Sequence, residues 1–509
     1  MSNLLFDTLF DQKPVDPAFV ELIDGRHWSY GDILDETARV ANTLVALGIQ
    51  PGDRVAAQVD KSVSLVALYL GTIRAGAVFL PLNTAYTLTE VEYFISDAKP
   101  ALLVCDPAAE AALRPIAAAT ATRIETLDSS GDAGSWPERL SASAIEFSSV
   151  ARGPHDLAAI LYTSGTTGRA KGAMLTHLNL ASNALTLADL WRFTNDDVLL
   201  HALPIFHTHG LFVAINTTLV AGGSLLFLPR FDTDEVVSIM PRASVMMGVP
   251  TYYTRLLDNR NFTARQAQDI RLFVSGSAPL LKETHQAFHA RTGKTILERY
   301  GMTETNMNTS NPYEGPRRAG TVGLPLPGVD IRITDTSSGI ELADGEIGML
   351  EVKGPNLFKG YWQMEEKTAE NFRRDGYFIT GDLAMIDEKN YIVIVGRGRD
   401  LIISGGYNVY PKEVELEIDA LPGVVESAVI GLPHSDFGEA VTAVVVAKQG
   451  YTINDRDIVA EIGQRLANYK QPRRIFFVTE LPRNSMGKVQ KNLLRDEYKH
   501  TYTNQSPND

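Results

Sequence analysis

The sequence predicts an α/β protein with a large N-terminal domain and a small α+β C-terminal domain. Three observations predict it. Apolar strand-like runs alternate with helical patterns from residue 28 to residue 300, as in a sheet with helical cover. From 320 to 397 the chain becomes glycine-punctuated and β-rich. The stretch Gly396-Arg397-Gly398-Arg399-Asp400 then places two glycines and mixed charge between apolar runs, which reads as a hinge. Residues 1–398 are therefore expected to form the large domain, from α/β subdomains and a β-rich subdomain. Residues 399–509 form the small one, about 110 residues and enough to fold.

The elements follow in order. Residues 28–48 carry Ile33, Leu34, Ala38, Ala41, Leu44 and Val45 at helical spacing, with Gly48 as the stop. Pro51-Gly52-Asp53 is a turn, and Arg54 to Val59 a strand. A helix is expected from Val63 to Arg74 and a strand from Val78 to Pro81. Ala101 to Cys105 reads as a buried strand, which makes the single cysteine a packing residue. Residues 107–155 are Ala-rich, then Ser- and Gly-rich, and are expected to be peripheral. Leu157 opens another strand, and His177 to Leu190 a helix. Val198–Leu203, Leu225–Leu228, Ser244–Gly248, Leu272–Ser275 and Ile296–Tyr300 are further strands. Beyond Pro482 a loop-like segment leads to an amphipathic helix from Val489, and the tail from Thr501 is expected to be disordered.

Composition narrows the function. The net charge of −14 opposes nucleic-acid binding. One cysteine permits no intrachain disulfide and fits a reducing compartment. The start, Met1 to Gln12, has Asp7 and Asp11 and no basic region ahead of an apolar one, so no signal peptide is expected. The apolar run from Val63 ends at Arg74, too short to span a bilayer. A cytoplasmic protein with no membrane or nucleic-acid partner is expected.

The densest chemistry lies in Thr163-Ser164-Gly165-Thr166-Thr167-Gly168-Arg169-Ala170-Lys171-Gly172. Glycines let the backbone approach a ligand, successive N–H groups make an anion nest, and the hydroxyls add donors. Lys171 adds a mobile positive charge. This is a phosphate cradle or a Ser/Thr/Gly surface loop. It is not a Walker A loop, because Ala170 and Gly172 stand where glycine and Ser/Thr are needed.

Four more stretches share its order and spacing: Tyr300-Gly301-Met302-Thr303-Glu304, Thr380-Gly381-Asp382, Gly396-Arg397 and Asn484-Ser485-Met486-Gly487-Lys488. Together they resemble the AMP-forming adenylating superfamily of acyl-CoA synthetases, peptide-synthetase adenylation domains and firefly luciferases, over residues 15 to 495. The resemblance implies that a carboxylate attacks the α-phosphate of ATP, giving acyl-AMP and pyrophosphate, and that coenzyme A then takes the acyl group. It implies that the 163–172 loop holds the β- and γ-phosphates, Glu304 ligates Mg²⁺, and Thr303 contacts the α-phosphate. Tyr300 would stack on adenine beside Ser277, Ala278 and Glu298. Asp382, in a tight turn, would accept from the ribose hydroxyls, with Arg397 beside it. Lys488 would bridge acyl carboxylate and α-phosphate. Rotation of a mobile small domain about Arg399 would then withdraw Lys488 and bring in Ser404-Gly405-Gly406, with Lys412, for coenzyme A. Acetylation of Lys488 by a lysine acetyltransferase, reversed by a deacetylase, would switch off the first step by removing the charge.

The acid is read from the same region. His207, in Pro204-Ile205-Phe206-His207, and Ser277 are expected at the acyl pocket with Gly301 and Met302. Arg299 is the unusual residue, a permanent charge where many relatives are uncharged. Glu298-Arg299-Tyr300-Gly301-Met302-Thr303-Glu304 resembles the malonyl/methylmalonyl-CoA synthetase branch, which implies a small dicarboxylic acid. The other reading of Arg299 is an outward side chain paired with Glu298 or another acid. Alternatives for the whole are a ligase for a short monocarboxylic or aromatic acid, a stand-alone adenylation domain loading a carrier protein, a non-catalytic nucleotide-binding protein and a luciferase-like oxygenase. No carrier domain follows Lys488, which favours free coenzyme A.

Overall fold

The computed structural model describes residues 2–163, 170–405, 407–434, 436–451, 453–484 and 487–502. They form a mixed α/β protein of two compact units. The large unit comprises Met1–Ala319, Gly323–Asp330 and Val352–Phe378, and the small unit Gly320–Val322, Ile331–Glu351 and Ile379–Asp509. The β-rich segments 331–351 and 379–398 thus pack with the C-terminal residues.

The large unit is built on two sheets. One has the strand order Gly360–Tyr361, Lys171–Thr176, Leu157–Thr163, Val78–Pro81, Arg54–Gln58, Leu102–Cys105, Arg123–Thr126. Its last five strands run parallel, and the first two are antiparallel additions at one edge. The parallel strands are apolar throughout, since helices cover both faces. The helix Val63–Arg74 is almost entirely buried for the same reason, and Ser62 caps it by accepting from Leu65 N. Tyr30–Ala46 has a full capping box from Ser29 and Asp32, and buries Ile33, Ala38, Ala41 and Leu44. The second sheet has a parallel centre, Ile296–Met302, Leu272–Ser275, Val245–Gly248, Val198–His201, Ser224–Phe227 and Ala18–Leu22, with antiparallel strands at both edges.

The region expected to be peripheral supplies the edge strand Arg123–Thr126 and the fully buried Trp136. Its alanines form the helix Glu110–Ala119 against the helix Leu88–Ala98.

The small unit holds the sheet Asp330–Thr334, Gly348–Lys353, Phe378–Ile386, Ile392–Arg397, three strands of which begin or end in the large unit's segments. It also holds a sheet of Tyr407–Val409, Ile402–Ser404, Gly438–Ala447, Val424–His434 and Arg474–Val478. The C-terminal helix spans Lys491–Tyr498, two residues later than expected, because Val489 bridges to Arg483. The tail also departs from expectation at its start. Tyr502 is buried, its hydroxyl lies 2.9 Å from Thr442 Oγ1, and its ring packs beside His434. Residues 503–509 lie outside the described residues.

Tyr502 joins a cluster with Ala428, Ile430, Val444, Leu481 and Leu494. Tyr502→Ala should therefore destabilise the small unit by about 2–4 kcal/mol, from lost burial and the lost hydrogen bond to Thr442. The check is hydrogen exchange: the Gly438–Ala447 amides should exchange faster in the variant.

Candidate active site

In the large unit, the strands Leu157–Thr163 and Lys171–Thr176 pair antiparallel, with Thr163 opposite Lys171. The connecting residues Ser164, Gly165, Thr166, Thr167, Gly168 and Arg169 lie outside the described residues. Lys171 is not a mobile loop residue, as expected from its setting, but the first residue of a strand. Its ammonium stands over the Tyr361 ring, 4.0 Å from the centroid. Burial lowers its pKa, an effect opposed by Glu304 nearby.

Glu304 lies in the turn between the strands Ile296–Met302 and Asn306–Ser310. Its Oε1 accepts from the Tyr361 hydroxyl at 3.0 Å, and its carbonyl accepts from Phe358 N at 2.8 Å. Thr303 is buried beside it. Gly301 is obligatory, since a Cβ there would sit 1.8 Å from the Asn306 carbonyl oxygen. Met302 and Tyr300 are partly buried on the same strand, Tyr300 opposite Thr309. Neither Tyr361 nor its segment was singled out by the sequence. Asn356 places it, donating to Thr305 O at 2.7 Å and Met307 O at 3.1 Å, while Asn179 donates to Pro355 O and Leu357 O.

Arg299 is 3% exposed and does not pair outward with Glu298. Glu298 turns the other way, its Oε1 accepting from Leu280 N at 3.1 Å, and so holds the Ser277-Ala278 turn to the strand. The guanidinium lies flat against Gly276, where a Cβ would meet its atoms at 2.4–2.6 Å. Its Nε and Nη2 have no hydrogen-bond partner among the described residues. Burial pulls its pKa well below the usual guanidinium range, to about 9, which leaves it a cation at neutral pH. The Tyr253 phenol nearby is kept neutral by burial and donates to Val274 O.

Two histidines stand nearby. His207, the expected gate, is half-buried and accepts at Nδ1 from His209 N, 3.3 Å away. His209, which the sequence reading passed over, is fully buried, with Nδ1 3.3 Å from Ser277 Oγ and Nε2 unpartnered. Burial first, and then Arg299, hold its pKa well below the ordinary histidine value. It begins a π-helix, His209–Ile215, a form often found at functional sites. A buried lysine supports that helix: Lys61 donates to His201 Nδ1 at 2.7 Å, and His201 Nε2 donates to Gly210 O at 2.8 Å. Ser277 adopts φ +72°, a strained value for a residue with a Cβ.

In the small unit, Asp382 and Arg397 are cross-strand partners, with Arg397 Nε 2.8 Å from Asp382 Oδ1. Asp382 is not in the tight turn expected of it. It is a buried residue of the strand Phe378–Ile386, because Thr380 Oγ1 accepts its N–H and Gly381 takes φ +76° without ending the pairing. Arg399 lies in a short 3₁₀ turn, Gly398–Asp400, and Asp400 pairs with Arg495. The Lys488 N–H donates to Asn484 Oδ1, and its carbonyl accepts from Asn484 N. Ser404 is buried, and Gly405 at φ +58° donates to Phe437 O; Gly406, with Ser485 and Met486, lies outside the described residues. Lys412 sits 3.9 Å from the buried Glu415, which also binds Lys491 at 2.5 Å.

Residues 6–362 match the family of AMP-binding enzymes, and residues 413–488 match the C-terminal domain of AMP-binding enzymes. The chain belongs to this family. A mitochondrial malonate–CoA ligase of Mus musculus is 36% identical over 93% of this chain and 87% of its own. A feruloyl-CoA synthase of Amycolatopsis is 34% identical over 93% and 94%. Among solved structures, ATP-bound MatB from Rhodopseudomonas palustris matches with a TM-score of 0.97 and 58% identity, over 99% of this chain and all of that one.

One carboxyl in the small unit titrates near neutrality. Asp419, on the helix that carries Lys412, accepts from Ser427 Oγ at 2.7 Å. Burial raises its pKa to about 7, against Lys412 and the Ser427 bond, with Glu415 and Glu426 adding to the rise. A carboxyl that holds its proton more tightly when folded stabilises the fold below about pH 4 and loses that contribution as pH rises through about 7. The small unit should lose about 4 kcal/mol over that window, and Asp419→Asn should flatten the loss. Amide exchange of the strand Val424–His434 across this pH range measures both.

Proposed function

We propose that this chain is an AMP-forming malonate–CoA ligase. The observation that carries the reading is the Arg299 guanidinium, fully buried against Gly276 with Nε and Nη2 unpartnered. An uncompensated buried charge is costly. A second carboxylate on the substrate is the group that completes it, by the two-point geometry that guanidinium and carboxylate share. The name of the mouse protein supports the same acid. Ferulate or a short monocarboxylate would leave the guanidinium unpaired, so the feruloyl-CoA synthase likeness is the weaker guide. Methylmalonate, one methyl larger, is a second substrate of this reading, since a methyl is worth only about 1–3 kcal/mol in a pocket.

In the first step a malonate oxygen bonds to the α-phosphorus of ATP and the bond to the β-phosphate oxygen breaks, releasing pyrophosphate. In the second the coenzyme A thiol loses its proton and its sulfur attacks the acyl carbon, with AMP leaving. Arg299, with His209 and Ser277, holds the spectator carboxylate. A neutral His209 suits that role as a hydrogen-bond group, because Arg299 already supplies the charge. Lys171 and the 163–169 loop take the β- and γ-phosphates, and Thr303 the α-phosphate. Tyr300 stacks on adenine beside Ala278, and Asp382 with Arg397 takes the ribose. Lys488 neutralises charge in the adenylation transition state.

The residues fit Mg²⁺ brought in by the nucleotide. Among the described residues no group of three or more His, Cys, Asp or Glu forms a metal cage. A hard ion that keeps few protein ligands beside substrate phosphates needs one carboxylate, and Glu304 supplies it. Bound there, the ion would screen the phosphate charge.

The remaining roles are part of the same proposal. Residues 399–509 turn about Arg399 between the steps, Ser404-Gly405-Gly406 and Lys412 serve coenzyme A, and acetylation of Lys488 regulates the first step. The protein works in the cytoplasm, although the mouse relative is mitochondrial; among the described residues no helix is long and apolar enough to cross a membrane.

Arg299→Leu tests the reading. Losing a buried pair worth about 3–5 kcal/mol should lower kcat/KM for malonate by roughly 10²- to 10⁴-fold. Butyrate turnover should change far less, or rise. An equal fall for both acids would make Arg299 structural and remove the basis for a dicarboxylate. Lys488→Ala should nearly abolish malonate-dependent pyrophosphate release yet spare thioester formation from supplied malonyl-AMP. Equal loss of both half-reactions would refute a role confined to adenylation.

A further inference from the structure

Lys171 and Glu304 carry opposite charges in one buried neighbourhood, yet no ion pair joins them. If they paired, each would cancel the charge the other needs for the triphosphate. The side chain between them is Tyr361. Its ring face takes the ammonium at 4.0 Å, and its hydroxyl donates to Glu304 Oε1 at 3.0 Å. One phenol thus gives the cation a π face and the anion a donor.

Tyr361 is itself firmly held. It is 3% exposed and pairs through its backbone with Ala173, two residues from Lys171. Its N–H donates to Thr368 Oγ1 at 2.9 Å, and the Phe358 ring meets its edge at 4.9 Å. Gly360 precedes it at φ +138°, where a Cβ would lie 2.7 Å from Thr368 Cγ2. The same segment reaches Glu304 through Phe358 N and the Lys171 strand through Trp362 N, which donates to Gly172 O at 2.7 Å.

We infer that Tyr361 is a positioning residue for the nucleotide and metal end of the reaction: its hydroxyl aims the Glu304 carboxylate, and its ring seats the Lys171 ammonium. The inference rests on the roles proposed above for Glu304 and Lys171. It assigns the two atoms of contact to two separable effects.

Two substitutions separate them. Tyr361→Phe keeps the ring and removes the hydroxyl, with no change of shape. It should raise the Mn²⁺ concentration that half-saturates the enzyme–ATP complex, followed by electron paramagnetic resonance, about 10- to 100-fold, the usual cost of losing a group that orients a ligand. Binding of ATP in EDTA, followed by calorimetry, should be unchanged. Tyr361→Leu removes the ring as well and should also weaken metal-free ATP binding by roughly 3- to 30-fold. Glu304→Gln is the reference. If Glu304→Gln shifts the Mn²⁺ titration and Tyr361→Phe does not, the inference fails and the metal reading of Glu304 stands. If neither shifts it, both fail. If Tyr361→Phe weakens metal-free ATP binding as much as Tyr361→Leu, the division between hydroxyl and ring is wrong.

Discussion

A guanidinium kept out of water with two of its nitrogens unpartnered is the constraint on which the proposed acyl end of this protein depends. Burial of the Arg299 side chain requires a flat neighbour, and Gly276 is the residue that allows it, since any Cβ there would enter the guanidinium. The Ser275-Gly276-Ser277-Ala278 turn is in turn fastened to the arginine's own strand by Glu298 through Leu280 N. Glu298 is thereby directed away from Arg299, and among the described residues no carboxylate pairs with the cation. His209 is held neutral by burial and by the arginine, so it adds no second charge. The strain stored at Ser277 belongs to the same arrangement, because its hydroxyl reaches His209 from a left-handed backbone position.

The neighbourhood of Lys171 and Glu304, where we propose the phosphates bind, follows a different rule. There two opposite charges are present, and the structure keeps them from cancelling by placing a phenol between them. The two ends share one strand. Ile296–Met302 carries Arg299 and Tyr300, and the turn that follows carries Thr303 and Glu304. Its position in the sheet is fixed by parallel pairing with Leu272–Ser275 and antiparallel pairing with Asn306–Ser310. Moving this strand by one residue would exchange the faces on which Arg299 and Tyr300 stand.

Legibility from sequence followed the strength of local signals. Val63–Arg74, Val78–Pro81 and His177–Leu190 were readable to the residue, because apolar runs there end at glycine, arginine or tryptophan with good caps. Lys171–Thr176 was not read as a strand. Its glycine and threonine resemble the loop before it, and only pairing with Leu157–Thr163 makes it one. Asp382 was read as a turn residue because Gly381 precedes it, whereas cross-strand pairing overrides that local cue. Arg299 stood out as a charge where an uncharged residue was expected, and that was enough to suggest a dicarboxylate. Tyr361 gave no such cue. It lies 57 positions beyond Glu304, and its contact with that residue exists only in the fold. His209 was visible in the sequence but indistinguishable from His207 without knowing which ring is buried.

The overall charge makes the local arrangement necessary. Malonate, ATP and coenzyme A are all anions, and the chain carries a net charge of −14. Its long-range field therefore opposes every substrate of the proposed reaction. At physiological ionic strength that field decays within about 8 Å, so attraction has to come from cations close to the bound groups. Surface lysines would be screened in the same way, whereas a buried cation is screened much less. Arg299 and Lys171 are both withdrawn from water, where the dielectric is low. In the proposed reaction these two buried cations supply the attraction that salt screens least, beside the more exposed Arg397 and Lys488.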